Sequence, residues 1–244
     1  NTIFSILRTI SAGDLNLKTT FSEEKINQIY PILKKGSPNL AFKKKNVVFI
    51  IMESMATEYY GFYNDDIDGY TPFLDSLIKE SYTSELTFAT GKKSIDAIPS
   101  ILASIPTGKL HFALSKYCAN NIDGIGTLLK KEGYNTSFFH GAANGSMGFQ
   151  SISKLFGMDD YYGMNEYAND VDFDGAWGIW DSKFLPYYAQ KLNKMKQPFC
   201  SGVFTLSSHH PYKLPDEYKG KFKKGKHAMH KCVQYTDLAL KKFF

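Results

Sequence analysis

Apolar residues along this chain follow two different periodicities. Val47–Met52 is an unbroken, largely β-branched apolar run, the pattern of a strand buried on both faces of a parallel sheet. Asn135–Phe139 and Phe199–Leu206 read as further strands, and Ser84–Phe88 as a shorter one. Between them the spacing turns helical. Thr71–Glu80 opens with Pro72 in its first turn. Ile98–Ile105 is a short apolar helix, and Ile125–Lys131 is closed by Gly133. Asp181–Met195 is a longer helix broken by Pro198, and His227–Phe244 ends in Lys241 and Lys242, which suit a helix dipole. Upstream, Ser22 precedes an acidic first turn (Glu23, Glu24), and Ile26, Ile29, Tyr30 and Leu33 keep helical spacing as far as Gly36. The alternation predicts an α/β fold. Residues 1–45 form a helical lead-in, and 46–244 a central, mostly parallel sheet with helices on both faces.

Composition narrows the picture. At 244 residues and 43% hydrophobic content the chain can bury a full core. The net charge of +5 comes almost wholly from lysine, with clusters at Lys43-Lys44-Lys45 and at Lys223, Lys224 and Lys226. Such clusters suit solvated loops first, and after that an anionic lipid surface or a polyphosphate polymer. No stripe of interleaved basic and aromatic residues speaks for nucleic acid. Cys118, Cys200 and Cys232 form no CxxC or Cys/His pattern and allow at most one internal disulfide; Cys200 sits in an apolar run and reads as core. The chain begins at Asn1 without a signal peptide. Its longest apolar runs are far short of the ~20 residues that span a bilayer.

Chemistry collects where the strands should end. In parallel sheets reacting groups gather beyond the carboxyl ends of the strands. Four polar clusters hold such positions: Glu53-Ser54, Gly91–Ser94, His140-Gly141 and Ser207–Pro211. A carboxylate at the tip of a buried strand is costly unless paired or bound to a cation, so Glu53 reads as a hard metal ligand or a surface loop residue. Ser94, in Thr90-Gly91-Lys92-Lys93-Ser94, stands ahead of a helix, where N–H groups, the dipole and Lys93 favour a phosphate. It could also be a plain N-cap. As a nucleophile it would need a metal or a base. His140 and His209 each follow an apolar strand and are candidates for phosphate binding as imidazolium or for acid–base work. His111, His227 and His230 lack such placement and read as surface residues.

Together these segments resemble the sulfatase-like branch of the alkaline phosphatase superfamily, specifically phosphoglycerol transferases of the lipoteichoic-acid-synthase type. The pieces are Asn46–Ser54, Thr71-Pro72-Phe73-Leu74, Gly91–Pro99, Gly133-Tyr134 with Phe138–Gly141, and Phe204–Pro211, in the family's order over about 46–244. The resemblance implies that Glu53 and Ser94 ligate one Mn²⁺ or Zn²⁺ and that Ser94 forms a covalent phospho-enzyme. A phosphoglycerol or phosphoethanolamine group would pass from an anionic phospholipid donor to a cell-envelope polymer or glycolipid acceptor. His209, His140, Asn144 and Lys93 would serve as substrate contacts. The catalytic domain would be extracytoplasmic, held to the cell membrane, with 1–45 as juxtamembrane linker.

Two departures qualify this. The family's remaining metal ligands are an Asp-His pair after a later strand, and no Asp-His dipeptide occurs here. The expectation is a chain truncated before that motif, with a half-built metal site and poor Mn²⁺ or Zn²⁺ affinity. After His140 the sequence Gly141–Phe149 lacks the family's acidic, Trp and Arg headgroup contacts, and Asn144 is the nearest polar substitute. Other readings are a sulfatase or phosphodiesterase of the same superfamily and a non-catalytic polymer-binding module. A sulfatase needs Cys or Ser followed two residues later by Pro and then Arg; Ser94 has Asp96 there.

Overall fold

The computed structural model describes residues 20–31, 41–65, 68–108 and 110–244, and the chain divides into two compact units, Asn1–Lys44 and Lys45–Phe244. In the first, helix α1 (Glu23–Ile29) is capped by Ser22, whose Oγ accepts from the Lys25 amide at 3.3 Å. The helix ends at Ile29 rather than running on toward Gly36. Pro31 follows and drives Tyr30 into extended backbone. Leu33 and Gly36 lie outside the described residues.

The second unit is built on a sheet of four parallel strands, β1 (Val47–Ile51), β2 (Asn135–His140), β3 (Asp160–Tyr162) and β4 (Phe199–Phe204), in the order β1-β4-β2-β3. Helices α2 (Pro72–Lys79), α3 (Ser94–Ala103) and α4 (Ile125–Lys131) fall between β1 and β2. Next come α5 (Phe149–Leu155), α6 (Met164–Tyr167), α7 (Asp181–Lys194) and α8 (Met229–Phe243). Gly133, at φ 82°, follows α4 in the left-handed conformation that glycine adopts without strain.

Consecutive residues of a strand face opposite ways, and the core divides accordingly. Phe139 and Val203 join Phe184, Tyr188 and Val233 on the side of α7 and α8. Phe138 and Phe204 join Ile98, Leu102 and Phe156 on the side of α3 and α5. In register opposite Phe49, Gly202 gives the aromatic ring room to lie on the strand; a Cβ there would stand 2.1 Å from Phe49 Cε2.

Four expectations need correction. β1 is an edge strand among the described residues, so Val47 and Val48 are each 41% exposed rather than buried on both faces. Ser84–Phe88 is not a strand: no described strand pairs with it, and Leu86 and Phe88 are 81% and 83% exposed. The helix read as Ile98–Ile105 starts earlier, at Ser94, because a polar first turn hides the helical period. β4 stops at Phe204, and the amides of Leu206 and Ser207 leave the ladder for the carboxylate of Asp181.

Remote carboxylates also satisfy helix ends. The first turn of α2 has no side-chain cap from Thr71, and Pro72 has no N–H. The amides of Phe73 and Leu74 donate instead to Asp237 of α8, at 3.0 and 2.9 Å. No helix among the described residues is long and apolar enough to cross a membrane.

Candidate active site

Parallel strands bring their carboxyl ends to one edge, and the candidate groups meet there. Past β1 the chain turns sharply through Glu53 and Ser54, the latter at φ 54°, a left-handed conformation uncommon for a residue with a Cβ. The turn is fixed from β4's side. The Glu53 amide donates to Thr205 Oγ1 at 2.9 Å, and the Ser208 hydroxyl donates to the Glu53 carbonyl.

So held, Glu53 points its carboxylate at the first turn of α3. Ser94 Oγ donates to Glu53 Oε2 at 2.7 Å, and Ser54 Oγ donates to Glu53 Oε1 at 2.7 Å. Ser94 is the first helical residue, where N–H groups have no intrahelical acceptors and the dipole is positive. The structure thus joins two residues 41 positions apart into a hydroxyl–carboxylate pair at a helix N-terminus. A cavity over this pair is lined by Glu53, Ser94, His140, Met147, Phe149, Trp177, Leu206 and His209.

The two histidines differ in kind. His140 is 5% exposed, and its Nδ1 lies 3.2 Å from the Phe204 carbonyl. A carbonyl only accepts, so Nδ1 carries the proton and Nε2 is left as an acceptor. Burial pushes its pKa down to about 4. His140 is therefore neutral near pH 7, and the imidazolium role expected of it is not available. His209 is half-buried on the rim, with Nδ1 3.0 Å from the His210 carbonyl and its ring edge-on to Trp177 at 4.4 Å between centroids.

Lys93 and Asn144 do not line the cavity. Lys93 is the exposed N-cap of α3. Asn144 is tied down elsewhere, donating to both carboxylate oxygens of Glu166 at 3.0 Å and accepting from the Asn165 amide. Two histidines read as surface residues are engaged. His111 Nδ1 pairs at 2.8 Å with buried Asp96, and His230 is buried against the ring of Tyr70 at 4.4 Å. Cys200 is core, as expected, and burial raises its thiol pKa to about 11. Sequence reasoning missed Trp177 and the roles of Thr205 and Ser208. Thr205 lies in the apolar run read as a strand and Ser208 within the noted Ser207–Pro211 cluster, whereas nothing local to Gly-Ala-Trp-Gly marks Trp177.

Two adjoining oxygen donors suit a hard or borderline divalent cation, so Glu53 and Ser94 fit two positions of such a shell. Among the described residues no group of three or more His, Cys, Asp or Glu side chains converges to complete one.

The chain is 26% identical over 214 residues to the lipoteichoic acid synthase-like protein YvgJ of Bacillus subtilis, covering 82% of this chain and 34% of that protein. It is 28% identical over 232 residues to the lipoteichoic acid synthase of Staphylococcus saprophyticus, covering 88% and 35%. It thus spans about a third of the length of the curated relatives it matches. Among solved structures, a Vibrio parahaemolyticus protein of the alkaline phosphatase superfamily superposes with a TM-score of 0.73 at 28% identity, over 84% of this chain and 50% of that one. Lipoteichoic acid synthase LtaP of Listeria monocytogenes shares the fold, with a TM-score of 0.70 at 23% identity over 90% and 56%. The family model described as Sulfatase matches residues 45–244, the whole sheet together with the edge where Glu53 meets Ser94, and the chain belongs to that family.

Proposed function

We propose that this chain is the catalytic domain of a transferase that moves a phosphoglycerol or phosphoethanolamine group from a membrane phospholipid to a cell-envelope glycan or lipid, with Ser94 as nucleophile. The observation that carries it is the 2.7 Å hydrogen bond from Ser94 Oγ to Glu53 Oε2 at the N-terminus of α3. In the first step Ser94 Oγ bonds to the donor phosphorus as its proton passes to Glu53. The bond from phosphorus to the diacylglycerol oxygen breaks, and that oxygen takes a proton from solvent as it leaves. In the second step an acceptor hydroxyl attacks the phospho-serine and releases its proton to solvent, while the bond from Ser94 Oγ to phosphorus breaks and Ser94 recovers its proton from Glu53. The first-turn amides of α3 and His209 face the phosphoryl oxygens, where charge stabilisation is most effective. Neutral His140 offers Nε2 as an acceptor to a headgroup hydroxyl.

Glu53 and Ser94 would hold two positions of a divalent cation, Mn²⁺ or Zn²⁺, which supplies Lewis-acid charge neutralisation at the phosphate when bound. The domain would work on the outer face of the cell membrane, where the phospholipid donor lies. Support comes from relatives named lipoteichoic acid synthase and from a phosphoglycerol transferase, GacH of Streptococcus pyogenes, that shares the fold. Asp96, in place of the proline a formylglycine site requires, argues against sulfate-ester hydrolysis.

The test is Ser94→Ala in the natural full-length protein, assayed for release of diacylglycerol from phosphatidylglycerol or phosphatidylethanolamine vesicles. Turnover should fall by ~10³-fold or more with the fold intact. Undiminished release would remove Ser94 from the chemistry.

A further inference from the structure

We propose that Asp181, which does not itself line the cavity, is a positioning residue for this site, acting through the turn that follows β4. The inference rests on the transferase reading. Asp181 is the first residue of α7 and is 2% exposed. Its carboxylate accepts from the Leu206 amide at 3.0 Å (Oδ1) and from the Ser207 amide at 2.9 Å (Oδ2). In return its own amide donates to Ser207 Oγ at 2.9 Å. The exchange is reciprocal, and it locks residues 206 and 207 to the N-terminus of a fourteen-residue helix.

The residues on either side of that lock hold the site. Thr205 accepts from the Glu53 amide, Ser208 donates to the Glu53 carbonyl, and the His209 amide donates to the Leu206 carbonyl at 3.0 Å. One buried carboxylate thus sets the backbone that aims both the Ser94 partner and the rim imidazole. Small misplacements at such a centre cost far more rate than stability.

The molecule contains its own control. Asp237 is 3% exposed and accepts from two backbone amides, Phe73 and Leu74, at closely similar distances. It caps α2, and its contacts do not include the β4 turn. Replacing either aspartate by Asn puts an NH₂ where one amide donor needs an acceptor, so both variants lose buried hydrogen bonding of the same kind.

The experiment compares Asp181→Asn and Asp237→Asn in the full-length protein, with vesicle phospholipid as donor and rates scaled to folded protein. For Asp181→Asn, kcat should fall about tenfold to a hundredfold, with KM for the donor changed less than about threefold. Amide exchange at Glu53, Leu206 and Ser207 should quicken by about tenfold or more. Asp237→Asn should lower the thermal midpoint comparably and leave kcat and those amides unchanged. Equal kcat losses in the two variants would overturn the proposal, as would unchanged exchange at Glu53, or an unchanged kcat in Asp181→Asn. Retained transfer by Ser94→Ala would instead sink the reading of the site itself, and the exchange data would still decide whether Asp181 holds Glu53.

Discussion

His140 and His209 close neighbouring strands of one sheet, and from the sequence they look interchangeable. They differ because the chain leaves the two strands differently. β2 carries His140 as its last residue, so the ring is still inside the core, packed on Phe149 and Phe204 at centroid distances of 4.8 and 5.6 Å. Desolvation keeps it neutral, and its Nδ1–H is spent on a backbone carbonyl. β4 ends five residues before His209, and the intervening turn, taken over by Asp181, lifts that imidazole to the rim. A residue at the end of a strand is defined by the backbone that follows it. One histidine became structure with a single free lone pair; the other stands half-buried at the rim, edge-on to Trp177.

The largest effect that separates the two is on stability. His140→Ala removes a ring buried between two aromatic side chains and leaves the Phe204 carbonyl without its donor, which should cost about 3 kcal/mol in urea unfolding. His209→Gln should shift the unfolding midpoint by no more than about 0.5 kcal/mol. A destabilisation of similar size in both would erase the distinction. Activity sharpens it from the other side. His209→Gln removes the rim imidazole and should lower kcat/KM for the phospholipid donor about tenfold to a hundredfold. Full activity in that variant would remove His209 from the proposed phosphoryl contacts.

Much of this was legible in the sequence. Strand β2 and helices α2, α4 and α7 lie within a residue or two of where periodicity put them, because their stop signals, Gly133 and Pro198, are local. The pairing of Glu53 with Ser94 was implied by the family resemblance and not by the strand rule, since Ser84–Phe88 is no strand and Ser94 reaches the edge as the first residue of α3. What could not be read depends on partners remote in sequence. An apolar run such as Val47–Met52 does not reveal whether it will be central or at an edge. Nothing around Leu206 announces that an aspartate 25 residues upstream will take its amide. His111 and His230 look solvated until Asp96 and Tyr70 arrive from other elements. Trp177 reaches His209 only because its loop folds back over the β4 turn, where Trp177 Nε1 donates to the His210 carbonyl.

The smallest effect is also the most diagnostic, because its sign can be worked out in advance. His140 has an ordinary pKa of 6.5 and a folded-state value near 4, so the unfolded chain takes up its proton first as pH falls. The stability it contributes is complete above pH 6.5 and is lost as pH falls through about 4. The slope can approach but not exceed ~1.4 kcal/mol per pH unit. Asp181 runs the other way. Burial raises its pKa from 3.8 to about 6, so its contribution is complete below 3.8 and is lost as pH rises through about 6. The two terms oppose each other over the shared interval, and the wild-type profile there is flatter than either alone. Unfolding of wild type and His140→Gln, followed from pH 7 to pH 4, should converge as the solution is acidified. The gap between wild type and Asp181→Asn should instead change in the opposite sense across that same interval, with wild type losing relative stability as pH rises, and stay constant above about pH 6. A gap between wild type and His140→Gln that holds steady across the range would mean that the His140 imidazole is not desolvated in the folded chain, and the distinction drawn from its burial would fall.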